Sequence, residues 1–176
     1  MIKNSNTHKY AAYGALTEEV VEVLLGTKPK SEEILVKGLE LVVLSRKDIV
    51  NLYSDADVPD GFRLYGVRPN KSPDSKVKLR VMELNEEQQT IIDVFNFGIN
   101  NLYSQFTMGM THKEQPMQFL LDTVPNGFGT VVDGENYEPY LNNRELTLRV
   151  AQETRNEFYP HRQGAEFYGR RSRERL

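Results

Sequence analysis

Between Leu79 and Tyr103 (LRVMELNEEQQTIIDVFNFGINNLY) the spacing of apolar residues changes period once. Leu79, Val81 and Glu83 alternate with Arg80, Met82 and Leu84, the two-residue period of a strand. Ile91, Ile92 and Phe95 then fall on one face of a helix. Asn85 and Gln88 have capping-box spacing, and Gly98 is placed to end the helix in left-handed backbone. The pattern predicts a short helix dropping from a strand end. Asp93 and Asn96 lie in its last turn, where strand ends and helix termini gather polar groups into sites.

The same order opens the chain. His8 to Tyr13 alternates as a short strand, with Tyr10 and Ala12 on one face and Ala11 and Tyr13 on the other. Tyr13-Gly14-Ala15-Leu16 breaks it, Thr17 caps a helix, Leu16 staples onto Val21, and Gly26 ends the helix. A glycine turn running into a helix start points backbone N–H groups into one space and suits a carboxylate or phosphate. On its own, a glycine at a strand end is more often plain turn chemistry.

Thr27 to Glu33 reads as a loop, and Ile34 to Leu44 (ILVKGLELVVL) as one long central strand with a bulge or bend at Gly38. Ser45 to Asn70 reads as strand fragments joined by turns, the last being Phe62 to Val67, and Asn70 to Lys76 as an exposed turn. Ser104 to Met110 and Met117 to Thr123 form a hairpin around Thr111 to Pro116. His112 sits at its tip, where a single histidine is usually plain surface. Val124 to Asp133, with Pro125, Gly127 and Gly129, is a loop able to move. Asn142 to Tyr159 is the strongest helix. Asn142 and Glu145 have capping-box spacing, and Leu146, Val150, Ala151 and Phe158 form a stripe expected to pack across the sheet.

Composition narrows the function. A chain of 176 residues suits one domain, here 1–159, followed by a tail at 160–176. Mean hydropathy is -0.55, and no apolar run approaches the ~20 residues that span a bilayer, so no membrane partner is expected. The absence of cysteine removes disulfides, thiol catalysis and thiolate metal sites. No metal or other cofactor is expected, and a reducing, cytoplasmic compartment fits. Twenty-two Lys and Arg against 25 Asp and Glu leave a net charge of -3, which gives no global attraction to nucleic acid. The tail interleaves Arg162, Arg170, Arg171, Arg173 and Arg175 with Phe167 and Tyr168. Such a segment suits docking on an acidic protein surface or within an assembly better than it suits nucleic acid.

Lys9 to Val20 (KYAAYGALTEEV) resembles the strand and Y-G-[ST]-[NL] loop that open the γ-glutamylcyclotransferase-like, or AIG2-like, family. Leu79 to Tyr103 is similar to that family's strand, its L-D-x-x-E-G helix end and the tyrosine a few residues on. The resemblance covers about residues 8 to 123 and implies a small, mostly antiparallel β-barrel with flanking helices, an α+β fold. It also implies cyclisation of a γ-glutamyl group to 5-oxoproline. The glycine loop would hold the substrate carboxylate through backbone N–H groups of Gly14, Ala15 and Leu16, with Tyr13, Asn96 and Tyr103 around the ligand. A glutamate takes the proton from the attacking α-amine.

At that glutamate's position this chain has Asn96: the match reads Ile92-Asp93-Val94-Phe95-Asn96-Phe97. An amide cannot take the proton, and general-base assistance is worth about 10²–10⁴ in rate. Ala15 replaces the loop's hydroxyl residue as well. Asp93 is the candidate displaced carboxylate, although in the family pattern that aspartate braces the loop. Three readings follow. In the first, an altered or inactive member binds a small anionic or amino-acid-like ligand, or a protein partner. In the second, a cyclotransferase works through a displaced carboxylate. In the third, the chain is a structural subunit of an assembly such as a virion, docked by its tail.

Overall fold

The computed structural model describes residues 6–52, 58–96 and 103–159. Within them the chain is mixed α+β. In chain order the elements are β1 (Thr7–Ala12), α1 (Glu18–Leu25), β2 (Ser31–Lys37), β3 (Leu39–Leu44), α2 (Arg46–Leu52), β4 (Leu64–Pro69), β5 (Lys76–Asn85), α3 (Glu86–Phe95), β6 (Ser104–His112), β7 (Gln115–Thr123), β8 (Thr130–Val132) and α4 (Arg144–Phe158). Among the described residues no helix is long and apolar enough to cross a membrane.

Five strands form a sheet in the order β2-β5-β1-β7-β6, and three form another in the order β4-β3-β8. β1 runs antiparallel to β5, with Tyr10 opposite Met82, and parallel to β7, with Tyr10 opposite Leu120. The larger sheet curls into a half-barrel. At the far end of the β6–β7 hairpin, His112 Nε2 and Lys113 Nζ reach Glu32 Oε2 on β2 at 2.9 and 2.8 Å. Its two edges are thus tied by side chains across the mouth of the curl.

Alternation along β1 sorts the core. Tyr10 and Ala12 face Val20, Leu24, Ile91, Ile92 and Ala151 from α1, α3 and α4. Ala11, on the opposite face, joins Leu79, Phe119 and Leu121 against Leu41 and Val67 of the smaller sheet. α2 closes the outer side of that sheet, where Ile49 packs on Val42 and Leu44. Leu24 and Ile92 are wholly buried, each such side chain contributing about 1.5–3 kcal/mol.

The predicted capping box is present: Gln88 N–H donates to Asn85 Oδ1 at 2.8 Å, and Asn85 N–H to Gln88 Oε1 at 2.9 Å. Thr17 caps α1, and Gly26 ends it with φ 74°. Other expectations are corrected. Ile34 to Leu44 is two strands in different sheets, with Gly38 (φ 85°) between them. The Gly38 N–H donates to Ser75 O and its carbonyl accepts from Asn70 N, both at 2.9 Å, so of the bulge or bend expected there the chain makes the bend. The alternation slips by one there. Ile34 and Val36, then Leu39 and Leu41, face one core from opposite sheets.

A helix, α2, occupies part of the stretch read as strand fragments. Its signal was Ser45 with Asp48: Asp48 N–H donates to Ser45 Oγ at 3.2 Å and Ser45 N–H to Asp48 Oδ2 at 3.0 Å. The hairpin turn is tighter than predicted, with only Lys113 and Glu114 (φ 51° and 65°) between the strands. Thr130–Val132 pairs with β3 in the segment read as a loop. The cap of α4 is Asn143, which accepts from Leu146 N–H at 2.9 Å, while Asn142 pairs with the Arg63 backbone at 2.9 and 2.8 Å. α4 lies on α1 and α3 rather than across the sheet, because those helices already cover that face.

Candidate functional site

The glycine loop is built for close approach. Gly14 has φ 65°, and a Cβ there would lie 2.9 Å from Tyr65 Cδ2, so a side chain is excluded by backbone and by space. Two of the three N–H groups expected to hold an anion already have acceptors. Gly14 N–H donates to Tyr137 Oη at 3.2 Å, and Leu16 N–H closes the turn onto Tyr13 O at 3.3 Å. The Ala15 N–H has no acceptor among the described residues.

Tyr13, Ala15, Leu16, Asn96 and Tyr103 come together on the wall of one cavity of about 170 Å³. Gly14 borders a second, more polar hollow on the other side of the loop, shared with Glu33, Arg80 and Tyr137. Most of the cavity wall is apolar or aromatic, with Phe62, Leu141, Leu146 and Val150 completing it. Asn96 is the C-cap residue of α3, its N–H donating to Ile92 O at 3.0 Å. Its side chain offers the cavity an amide, a donor and an acceptor without a base.

The carboxylate on this wall is Asp122, a residue the sequence reading did not single out. It lies near the end of β7 and is buried to 8% exposure. Tyr10 Oη donates to its Oδ2 at 2.6 Å and Gln105 Nε2 to its Oδ1 at 3.0 Å. Tyr13 Oη donates to its main-chain oxygen at 2.7 Å. Among the described residues no Lys, Arg or His forms an ion pair with it. Burial, with the Asp122 charge adding to it, drives the hydroxyls of Tyr10, Tyr13 and Tyr103 well above their ordinary pKa, so all three stay protonated. The one signal in the sequence is an acid interrupting the apolar run Phe119-Leu120-Leu121-Asp122.

Asp93 is not among the residues lining the cavity. It accepts from Gln89 Nε2 at 3.0 Å, and Gln89 Oε1 lies 2.7 Å from His8 Nε2. Burial raises its carboxyl above the ordinary range against that hydrogen bond, and the charge of Asp122 adds to the rise. This is the bonding of a bracing residue between β1 and α3. Gly98 and the tail residues Arg162, Phe167, Tyr168, Arg170, Arg171, Arg173 and Arg175 lie outside the described residues. Among the described residues no group of three or more His, Asp or Glu is placed to hold a metal ion.

No protein-family model matches the chain, and no curated protein matches it. Among solved structures, a solution structure of an Arabidopsis thaliana protein aligns at 15% identity over 91% of this chain and 93% of that one, with a TM-score of 0.49. A crystal structure of an uncharacterized Homo sapiens protein aligns at 11% identity over 71% of this chain and 69% of that one, also at 0.49. A second Arabidopsis thaliana solution structure aligns at 15% identity over 94% and 88%, at 0.42. At such values these likenesses carry no argument about what this chain does.

Proposed function

We propose that this chain is a γ-glutamylcyclotransferase-like protein with altered or absent catalysis, acting by binding a small amino-acid-like ligand in the cavity beside the glycine loop. On this reading the five- and three-stranded sheets are the two halves of the family's barrel. The observation that carries it is Asn96. It stands where the family has its glutamate, and it lines a cavity together with Tyr13, Ala15, Leu16 and Tyr103. A wall with the loop, the tyrosines and a concave volume is still suited to holding a ligand. An amide at the base position removes the proton acceptor, and with it about 10²–10⁴ in rate. The open Ala15 N–H is the loop group left to meet a ligand carboxylate.

The test is 5-oxoproline release from γ-glutamyl dipeptides and amines, with calorimetric titration of the same compounds, on the native chain and on Asn96→Glu. The expected result is a native chain that binds and does not turn over, and an Asn96→Glu variant that gains turnover. The Asp122 carboxylate favours a second reading, a working cyclotransferase with its acid displaced from the end of α3 to β7. Native turnover abolished by Asp122→Asn would establish it in place of the first. If both chains neither bind nor turn over, the ligand reading fails. The assembly role of the 160–176 tail is then the one to pursue, by looking for a protein that the full chain retains and a chain ending at 159 does not.

A further inference from the structure

We infer that Asp122 is the anchor for a primary ammonium group, so that the cavity takes ligands bearing a free amine on an otherwise apolar or amino-acid-like body. Two inventories carry this. The first is charge: Asp122 is buried, lines the cavity, and is met by two neutral donors, Tyr10 Oη and Gln105 Nε2. Among the described residues no cation forms an ion pair with it; Arg63, on the same cavity wall, instead donates to Leu141 O at 3.0 Å. A buried carboxylate without a counter-charge is costly, and a cation entering the cavity removes that cost.

The second inventory is hydrogen. Tyr10 and Tyr13 donate their hydroxyl protons to Asp122 Oδ2 and the Asp122 main-chain oxygen, Tyr103 donates to Tyr65 O, and Tyr65 to Glu138 O. Each phenolic oxygen has then used its single proton and offers only lone pairs. The oxygens around Asp122 are therefore acceptors, and the aromatic rings of the cavity wall attract a cation, while the side-chain donors on that wall include the Asn96 amide and Arg63. An ammonium, with three N–H donors and one positive charge, complements those oxygens. A carboxylate or phosphate does not, and belongs with donors of the wall such as the Ala15 N–H, Asn96 and Arg63.

This deepens the proposed ligand reading and rests on it only for the γ-glutamyl body of the ligand. The experiment titrates the full chain with γ-glutamyl-alanine, its N-acetyl derivative and phenethylamine. Both free amines should bind, N-acetylation should weaken binding about 10- to 100-fold, and Asp122→Asn should weaken both amines by a similar factor. If γ-glutamyl-alanine binds but neither acetylation nor Asp122→Asn matters, the anchor is overturned while the ligand reading stands. If phenethylamine binds through Asp122 and γ-glutamyl-alanine binds no better, the anchor stands and the γ-glutamyl reading falls. Failure of every amine to bind overturns the anchor. Should Asp122→Asn not fold, the side-chain carboxyl carbon of Asp122 in the native protein decides by NMR. Its resonance shifts on phenethylamine addition if the anchor is correct, and a resonance that stays put overturns it.

Discussion

Tyr10 of β1 and Asp122 of β7 are joined by a 2.6 Å hydrogen bond across the parallel strand pair, the hydroxyl donating to Oδ2. The bond ties the core under α1 and α3 to the cavity wall, because Tyr10 belongs to both. Tyr10→Phe keeps the ring and its packing but leaves the buried carboxylate one donor short. It should destabilise the chain by about 1–3 kcal/mol, read as a lower midpoint in urea with an unchanged slope.

Gly14→Ala puts a methyl group 2.9 Å from the Tyr65 ring in backbone of φ 65°. Strain of about 1–3 kcal/mol is expected from the backbone and the contact together. The loop should move off the Tyr137 hydroxyl, so the amide at position 14 should exchange with solvent faster than in the native chain while the amides of β5 keep their protection.

Arg68 on β4 and Glu40 on β3 form a nearly buried pair at 2.6 Å, and Arg68 also donates to the main-chain oxygens of Phe128 and Pro125. Burial pushes the Glu40 carboxyl up, but the hydrogen bonds from Arg68 and Asn70 hold it below its ordinary pKa. Arg68→Met strands the acid and should cost about 3–5 kcal/mol in chemical unfolding. Adding Glu40→Leu to that variant should recover much of the loss, since no unpaired charge remains.

Hydrogen bonds from Lys113 and His112 lower the Glu32 carboxyl to about 2 from an ordinary 4.5. A carboxyl depressed in the folded state contributes stability that is complete above the unfolded value and fades as pH falls through the folded one. The tie between the hairpin tip and β2 should therefore loosen between about pH 4.5 and 2. The protection of the Lys113 and Glu114 amides, taken against the intrinsic exchange rate at each pH, should fall across that window, and in Glu32→Gln it should already be low at neutral pH.

Asp93 has the opposite sign. Its carboxyl is raised above an ordinary 3.8, chiefly by burial, so the folded state favours the proton and stability declines as pH rises from that value toward the folded one. Asp93→Asn retains an acceptor for Gln89 and removes the titration. Its thermal midpoint should vary less with pH in the acid range than that of the native chain.

Local chemistry was legible wherever neighbours along the chain are also neighbours in space. The Asn85–Gln88 box, the Thr17 cap, the two faces of β1 and the β6–β7 hairpin are short-range features, and residue type and spacing specify them. The apolar run through Gly38 carries no mark of which sheet each half joins, since both halves are equally apolar. Adjacent asparagines at 142 and 143 are equivalent caps until Arg63, far away in sequence, takes one of them. The glycine turn and Asn96 at a helix end stand out along the chain, and the family resemblance adds Tyr103 and their ligand roles, whereas Asp122 is marked by neither. An acid in an apolar strand acquires meaning only when β1 aligns beside β7 and sets Tyr10 against it. Burial and the missing counter-charge arise from strand pairings more than a hundred residues apart in sequence, and only the folded arrangement of those strands decides them.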